Sequence, residues 1–211
     1  MAQKGILIVV SGFSGAGKGT LMKKLLSTYD EYVLSVSMTT RAPREGEKEG
    51  VEYFFTDRDN FEKAIENNGL IEYAEYCGNY YGTPRRYVEE QLDAGRNVIL
   101  EIEIQGALKV KQRFPETLLL FVTPPNAAEL EKRLKYRGTE DEETIARRLA
   151  RAYEEAEGIE AYDYIVVNDN LEECVRELHC LVNASRRAPV RKTEFINNIR
   201  DELKSFAKGE C

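Results

Sequence analysis

Histidine, tryptophan and paired cysteines are scarce in this chain of 211 residues. It has one histidine, His179, no tryptophan, and four cysteines without a Cys-x-x-Cys pair. This set offers no plausible zinc site, and isolated reduced thiols fit it best. The apolar run at residues 5–10 is far shorter than a membrane span and lacks the flanks of a signal peptide. We therefore expect a cytoplasmic protein without a membrane partner.

The chain also lacks an excess of positive charge. Its 30 lysines and arginines against 37 aspartates and glutamates give a net charge of −7, which disfavours a nucleic-acid partner. An acidic protein that binds an anionic ligand has to concentrate its cations locally. The cations cluster at Lys18, at Arg41 with Arg44, and between Arg133 and Arg148. These three places are therefore candidate binding sites.

A glycine-rich turn follows the first apolar run. It contains Gly12, Gly15 and Gly17 and ends in Lys18. Glycines let backbone N–H groups point at one anion, and the helix that follows adds its positive end. The P-loop pattern asks for Ser or Thr after the lysine, but Gly19 stands there and Thr20 comes one place later. The turn predicts a phosphate site without a hydroxyl ligand to a metal; the alternative is an ordinary strand-to-helix turn.

Short apolar runs alternate with helical patterns, which predicts an α/β fold with a parallel sheet covered by helices on both faces. The predicted strands are residues 5–10, 97–104, 117–122 and 162–167. The predicted helices are residues 20–29, 105–114, 127–136, a helix ending near 186, and 193–207. Residues 39–95 break this rhythm with tyrosine-rich alternating segments around a helix at 59–67, which predicts an inserted antiparallel lobe.

Two arginines follow a hydroxyl-rich run at residues 35–40. Pro43 keeps the segment extended, so the charges of Arg41 and Arg44 would repel each other without an anion between them. A phosphate would relieve that repulsion, and Ser37 and Tyr53 could donate further hydrogen bonds. The alternative is a solvated basic turn.

Hydroxyl and carboxylate pairs recur at the spacing of one strand face. Tyr81 and Thr83 fall on one side of a predicted strand, so both hydroxyls would face one pocket. Glu101 and Glu103 interrupt an apolar strand and would lie about 6.5 Å apart on one face. Charges in a buried parallel strand are expected at its carboxyl end, where α/β proteins bind ligands. The alternatives are a hairpin end, a wet edge strand, or a two-carboxylate hydrolase.

Several arginines surround a glycine hinge further along the chain. Arg133 and Arg137 precede the Gly-Thr-Glu sequence of residues 138–140, and Arg147 and Arg148 follow it. A mobile flap carrying these cations would close over a phosphoryl group and exclude water. An exposed helix paired with its neighbouring glutamates is at least as consistent with this charge pattern.

Taken together and in order, these motifs resemble the guanylate kinase family of nucleoside monophosphate kinases, over nearly the whole chain. The resemblance implies a P-loop parallel sheet flanked by helices, with an inserted mixed GMP-binding lobe and a helical lid. The implied division is core at 1–38, GMP lobe at 39–95, core at 96–136, lid at 137–149, and core with C-terminal helices at 150–211.

The resemblance also implies roles for individual residues. ATP would be bound by Gly12, Phe13, Ser14, Gly15, Ala16, Gly17, Lys18, Gly19, Thr20 and Asn168. GMP would be bound by Ser37, Arg41, Arg44, Tyr53, Glu72, Tyr81, Thr83 and Glu103, of which Glu72, Thr83 and Glu103 would read the base. The catalytic cations would be Lys18, Arg41, Arg133, Arg137 and Arg148. Glu101 would orient Mg²⁺, which accompanies ATP, through water.

The implied reaction is in-line transfer of the γ-phosphoryl group of ATP to GMP, and to dGMP, without a covalent intermediate. Guanine presents N–H donors that carboxylates accept, whereas adenine would leave a buried carboxylate unpaired. Two alternatives stay open: a catalytically inactive interaction module of the same fold, and a kinase for another monophosphate such as AMP or dTMP. The oligomeric state is undetermined by the sequence.

Overall fold

The computed structural model describes residues 4–136 and 141–207, in which strands alternate with helices from the first strand onward. The strands are β1 (Leu7–Gly12), β2 (Tyr32–Leu34), β3 (Ser37–Thr39), β4 (Tyr53–Phe55), β5 (Leu70–Tyr76), β6 (Asn79–Pro84), β7 (Asn97–Glu101), β8 (Leu118–Thr123) and β9 (Tyr164–Val167). The α-helices are α1 (Lys18–Thr28), α2 (Arg58–Glu66), α3 (Arg85–Asp93), α4 (Ile104–Arg113), α5 (Ala127–Tyr136), α6 (Glu142–Ala156), α7 (Leu171–Ser185) and α8 (Thr193–Ala207).

The larger sheet is parallel and has the strand order β2-β7-β1-β8-β9. Its central strand β1 is apolar and buried on both faces, as parallel sheets covered by helices require. Ile8 and Val10 pack toward α1 and α7, while Leu7 and Val9 pack toward α3 and α4. This alternation builds one core layer on each face of the sheet and confirms the predicted fold class.

The smaller sheet has the order β4-β3-β6-β5. Strands β3 and β6 are antiparallel, as are β5 and β6, but β3 and β4 run parallel. The prediction of an antiparallel lobe from the sequence pattern is therefore wrong for β3 and β4, and the mixed lobe that the resemblance implied is confirmed. Strand β4 runs parallel to β3 because the long loop between them returns the chain to the starting end of β3 before β4 begins. Helix α2 covers this sheet with Phe61, which is buried and stacks on Tyr80.

One predicted strand ends early. β7 stops at Glu101, the residue that pairs with Val10 of β1, because β1 leaves β7 there and enters the glycine-rich turn. Glu103 then precedes α4 as its N-cap with extended backbone. The prediction that Glu101 and Glu103 share one strand face is therefore wrong. The sequence patterns also missed β2 and α3, both of which are part of the main fold.

The carboxyl ends of β1 and β7 lie at the same edge of the parallel sheet, because the two strands pair in parallel. The glycine-rich turn and Glu101 follow these two ends, and α6 lies on the same side. Helix α6 packs on α5 through Ile145 and Leu134. Ligands of open α/β sheets bind at this edge. Among the residues described, no helix has the length and apolarity that a membrane span needs.

Candidate active site at the carboxyl edge of the parallel sheet

The glycine-rich turn is shaped by positions that only glycine fits. Gly12 has φ +153° and Gly17 has φ +88°, a region that residues with a side chain rarely adopt. A Cβ at Gly12 would lie 2.1 Å from the carbonyl oxygen of Val122, and one at Gly17 would lie 2.6 Å from the Asn168 amide nitrogen. The turn is therefore packed directly against β8 and the end of β9, which fixes its position.

Lys18 is the first residue of α1, so the positive end of the helix lies at the turn. Its side chain folds back over the turn, and Nζ donates hydrogen bonds to the carbonyl oxygens of Gly12 at 2.7 Å and Phe13 at 3.2 Å. The ammonium group is thus held above the loop. An anion in the loop would have this charge within reach.

Two side chains that were assigned to the site donate hydrogen bonds to the loop backbone. The Asn168 amide donates to the carbonyl oxygen of Ala16 at 2.9 Å, and the Arg133 guanidinium donates to the same oxygen at 3.4 Å. Arg133 is also paired with Glu129 at 2.9 Å. In this structure both side chains therefore position the loop. Arg137, another predicted catalytic cation, lies outside the described residues.

The other predicted residues of the turn differ in exposure. The ring of Phe13 packs edge-on against Phe121, with centroids 5.0 Å apart, and so belongs to the core. Gly15 packs against Leu134 of α5, where an added Cβ would lie 2.9 Å from Cδ2. Gly19 and Thr20 are exposed, and open space surrounds the position of a Cβ on Gly19. The sequence therefore lacks a hydroxyl at a place where one would fit.

A cavity of about 580 Å³ brings the turn together with α6. Its walls include Gly12, Lys18, Glu101 and three consecutive turns of α6. The cationic and acidic side chains of α6 in this wall are Arg147, Arg148, Arg151 and Glu155. Arg148 is tied to the turn, because its guanidinium donates to the hydroxyl of Ser14 at 2.8 Å. The structure thus places two predicted residues, Ser14 and Arg148, in direct contact.

The sequence patterns assigned no role to Arg151 and Glu155. The Arg151 guanidinium pairs with Glu155 at 3.0 Å and lies 3.8 Å from the carboxylate of Glu103. This chain of contacts connects α6 to the start of α4. The spacing of Arg147, Arg148 and Arg151 on a helix was the available signal, because positions three apart share a face.

The loop after β3 contains an anion of its own. The Nη2 of Arg41 donates to both carboxylate oxygens of Glu47, at 2.8 and 3.0 Å, and the backbone N–H of Arg44 donates to the same carboxylate at 2.7 Å. The expectation that Arg41 and Arg44 repel each other unless a phosphate binds is therefore wrong. The hydrogen bond with Arg41 lowers the pKa of Glu47. Glu47 gave no signal in the sequence, because its partner is recognisable only once the loop is folded.

Aromatic rings lie beside Arg41, and we call the region of Arg41, Arg44 and these rings the basic corner. The Arg41 guanidinium lies 5.3 Å from the centre of the Tyr53 ring, and the Tyr53 and Tyr81 rings meet edge-on at 6.0 Å. Glu47 raises the pKa of Arg41, and a hydrogen bond with Tyr81 adds to this. Arg41, Tyr53 and Tyr81, which the sequence assigned to one site, are therefore neighbours.

A partly buried carboxylate lies on the neighbouring strand. Glu72 of β5 accepts a hydrogen bond from the Thr83 hydroxyl of β6 at 2.7 Å, and Thr83 is 1% exposed. Burial raises the pKa of Glu72, and the charge of Glu103 adds to this. Within residues 4–136 and 141–207, no cation lies within ion-pair distance of Glu72. Such a carboxylate favours a ligand that donates hydrogen bonds.

A smaller cavity of about 170 Å³ opens beside Thr83. Its walls include Ser35, Ser37, Tyr53 and Glu101. Ser35 was not assigned to the site, although it belongs to the hydroxyl-rich run. Its buried hydroxyl has no hydrogen-bond partner among the described residues. Unsatisfied buried hydroxyls are rare, and a bound ligand is one source of a partner. The small cavity and the 580 Å³ cavity share Glu101 and Ile102 in their walls.

Known proteins provide an independent comparison. The guanylate kinase family model matches residues 4–185. A guanylate kinase of Desulfitobacterium hafniense (strain Y51) is 52% identical over 188 residues, which cover 89% of this chain and 94% of that protein. A guanylate kinase of Bacillus subtilis (strain 168) is 50% identical over 185 residues, covering 87% of this chain and 91% of that protein.

A solved structure agrees with these relatives. The crystal structure of guanylate kinase from Anaplasma phagocytophilum superimposes with a TM-score of 0.67 at 36% identity, covering 90% of this chain and 92% of that one. The matched residues include the glycine-rich turn, both cavities and α6. With the family match and relatives at about half identity over most of their length, the chain belongs to the guanylate kinase family.

Proposed function

We propose that this protein transfers the γ-phosphoryl group of ATP to GMP, and to dGMP, giving ADP and GDP. The observation that carries the proposal is the meeting of two cavities at Glu101 and Ile102. One is lined by the phosphate-binding turn and the α6 arginines, and the other by Thr83, the partner of the partly buried Glu72. A phosphate donor in the first cavity and a purine monophosphate in the second would meet at this boundary.

Guanine fits the Glu72 corner for chemical reasons. Its N1–H and exocyclic amine can donate hydrogen bonds to the Glu72 carboxylate. Its O6 can accept a hydrogen bond from the Thr83 hydroxyl once that hydroxyl turns to the ligand. The carboxylate of Glu103, which reaches further than that of an aspartate would, adds a second hydrogen-bond acceptor for the base. Adenine presents no N1–H, so it would leave the partly buried carboxylate without a donor.

The monophosphate end would bind in the basic corner. Two planar guanidinium groups, of Arg41 and Arg44, are available there. Three hydroxyls, of Ser37, Tyr53 and Tyr81, add further donors. Together these groups suit the three oxygens of a phosphate. Glu47 fixes Arg41 in place, so the arginine does not have to be ordered when the substrate arrives. We assign Glu47 a positioning role.

The transfer needs no general base, because the attacking oxygen belongs to an already ionised phosphate. The chain's contribution is alignment and the stabilisation of spreading negative charge. Lys18 and Arg148 both line the larger cavity and would stabilise the transferring group, and Arg137 is the further cation proposed for the lid. Asn168 and Arg133 stabilise the turn through their hydrogen bonds to its backbone.

The residues present fit Mg²⁺ bound mainly by the nucleotide. Among the described residues no three His, Cys, Asp or Glu side chains lie close enough to hold a metal alone. Glu101, an exposed carboxylate that lines both cavities, could hold the ion through water, which suits the hydration that Mg²⁺ retains. When bound, the ion would neutralise charge on the phosphates of ATP. We also place the reaction in the cytoplasm, as the unpaired Cys77, Cys174 and Cys180 favour.

A substrate panel tests the proposal. Purified protein receives ATP and Mg²⁺ together with GMP, dGMP, AMP, UMP or dTMP, and ADP release is followed. We expect release with GMP and dGMP and little with the other three. Release with AMP or dTMP at the level of GMP would point to another monophosphate kinase. No GMP-dependent release would leave the inactive interaction module as the better interpretation.

A further inference from the structure

A second large cavity lies at the opposite edge of the parallel sheet. It has a volume of about 540 Å³, and its walls include Gly5 and Ile6 ahead of β1 and Thr117 ahead of β8. These residues precede the strands whose carboxyl ends carry the candidate active site. We call this space the amino-edge cavity. It shares no wall residue with either cavity of the active site.

Cations dominate the charged groups in the wall of the amino-edge cavity. Five cationic side chains line it against three acidic ones, in a protein whose net charge is −7. The cations are Lys4, Arg85, Arg113, Arg186 and Arg191. Four arginines at one place in an acidic protein create a local positive potential that attracts anions.

The arginines are poorly neutralised. Within the described part of the chain, Arg85, Arg113 and Arg186 have no carboxylate within ion-pair distance. Arg113 donates to the carbonyl oxygen of Ile71 at 3.0 Å, and Arg186 donates to the side-chain oxygen of Asn97 at 2.8 Å. These neutral partners hold the guanidinium groups of Arg113 and Arg186 in place without a counter-charge, although Arg113 is exposed to solvent. Such groups favour an anionic ligand.

Arg191 is partly compensated. Its carboxylate neighbour, Glu116, is 4.0 Å away and mostly exposed. Burial lowers the pKa of Arg191, the charges of Glu116 and Asp163 raise it, and the charge of Arg186 lowers it by a smaller amount. Arg186 and Arg191 are therefore close enough to influence each other, and both contribute to the positive potential of the wall.

Two polar atoms of the wall lack hydrogen-bond partners. The Nε of Arg85 and the hydroxyl of Thr117 are buried and have no partner among residues 4–136 and 141–207. Thr117 is 1% exposed, so neither solvent nor a ligand in the cavity reaches its hydroxyl without a shift of the wall. Unpaired buried donors are rare in folded proteins. Both residues line the amino-edge cavity.

Part of the wall is apolar. Phe114 offers a ring face over which the Arg85 and Arg113 guanidinium groups lie at 5.2 and 5.8 Å. Val190, which is 51% exposed, continues the apolar surface. A simple ion would satisfy the cations but leave this surface uncovered, whereas a ligand with an apolar body would cover both.

We propose that the amino-edge cavity binds a small phosphorylated organic molecule. Its phosphate lies among the arginines, because a dianion with three acceptor oxygens matches several guanidinium forks. Its apolar body lies against Phe114 and Val190. The site is separate from the nucleotide cavities, and the proposal does not depend on the function assigned to them.

Titration calorimetry with phenyl phosphate tests the site, with phenol and inorganic phosphate as half-probes. GMP and ADP are present at saturating concentration to fill the nucleotide cavities. We expect phenyl phosphate to bind more tightly than either half-probe. Arg85→Met keeps an apolar stem on Phe114 but removes the charge, and we expect it to weaken phenyl phosphate binding roughly tenfold or more.

Matched variants keep the test decisive. Arg86→Met changes the next residue of α3, which is 92% exposed at its side chain and pairs with Glu90, so it should leave the affinity unchanged. Lys18→Met, in the nucleotide cavity, should bind the probe like the wild type.

Three results would overturn the proposal. The first is no binding of phenyl phosphate to the wild type. The second is equal binding of phenol and phenyl phosphate, which would make the cavity merely apolar. The third is an affinity that Lys18→Met lowers and Arg85→Met leaves unchanged, which would assign the probe to the nucleotide cavity.

Discussion

Glu72 is the residue on which the proposed base selection rests. Its carboxylate is partly buried, its pKa is raised by that burial, and the hydrogen bond at 2.7 Å comes from Thr83. A carboxylate in this setting costs free energy until a ligand brings donors to it. The ligand-free fold therefore carries a penalty that a guanine base would remove.

We expect Glu72→Gln to lower kcat/KM for GMP by roughly tenfold to a hundredfold, because the amide is uncharged and its NH₂ group faces the guanine donors. The KM for ATP should stay unchanged. Steady-state kinetics with each substrate varied in turn measure both. Glu75→Gln is the matched control, on the same strand with a side chain 50% exposed. Equal losses for GMP and ATP would refute the division into two nucleotide sites.

The same substitution has a second consequence, for stability. A carboxylate whose folded pKa is raised favours folding at low pH, and this contribution is lost as pH rises through the folded pKa. Glu72→Gln avoids that loss. We expect the ligand-free variant to be more stable than the wild type at neutral pH, and the difference to shrink as pH falls toward about 4.3, where ordinary glutamates titrate. Denaturant unfolding at several pH values measures this. A difference independent of pH would contradict the assignment.

Two glycines of the turn give opposite expectations. Gly12→Ala puts a Cβ 2.1 Å from a backbone oxygen, and we expect it to lower the free energy of unfolding by about 3 kcal/mol or more. Gly19→Ala adds a Cβ in open space on α1, and we expect a gain of up to about 0.5–1 kcal/mol. Chemical denaturation measures both. Similar effects at the two positions would show that the turn is shaped differently.

At the scale of elements, local patterns predicted what local sequence determines. The glycine-rich turn and its Lys18 follow from adjacent residues, so the loop that we propose binds phosphate could be predicted from the sequence alone. Strands β3 and β4 have three residues each, too few to show a period, and their parallel pairing depends on the loop that Glu47 closes. The end of β7 depends on where its neighbour β1 turns away. Contacts far apart in sequence decide both features, so no local pattern could predict them.

Helix α6 closes the larger cavity through Arg148. We expect Arg148→Met to lower kcat roughly a hundredfold with smaller changes in either KM, because the charge acts on the transferring phosphoryl group. Methionine keeps helix propensity, so α6 should still form. Lys135→Met on the exposed side of α5 is the control for loss of a cation. A rise in KM for ATP at unchanged kcat would instead make Arg148 a binding residue.

At the scale of the whole molecule, the parallel sheet brings distant segments to one edge. The turn after β1, Glu101 at the end of β7 and Arg148 of α6 are far apart in sequence and line one cavity. That convergence could be predicted, because the carboxyl ends of parallel strands share an edge. The joining of this cavity to the one beside Thr83 could not, since it depends on how the second sheet packs onto the first. Arg133 and Asn168 likewise needed the tertiary structure to be placed behind the turn.

The central claim is direct transfer of a phosphoryl group between two nucleotides bound in adjoining cavities. The most direct measurement follows the radiolabelled γ-phosphate of ATP after mixing with GMP and Mg²⁺. We predict that the label appears in the terminal phosphate of GDP, that Lys18→Met abolishes this transfer, and that Lys23→Met, an exposed lysine of the same helix, preserves it. Label found mainly in inorganic phosphate, on AMP offered in place of GMP, or on the protein itself would contradict the account.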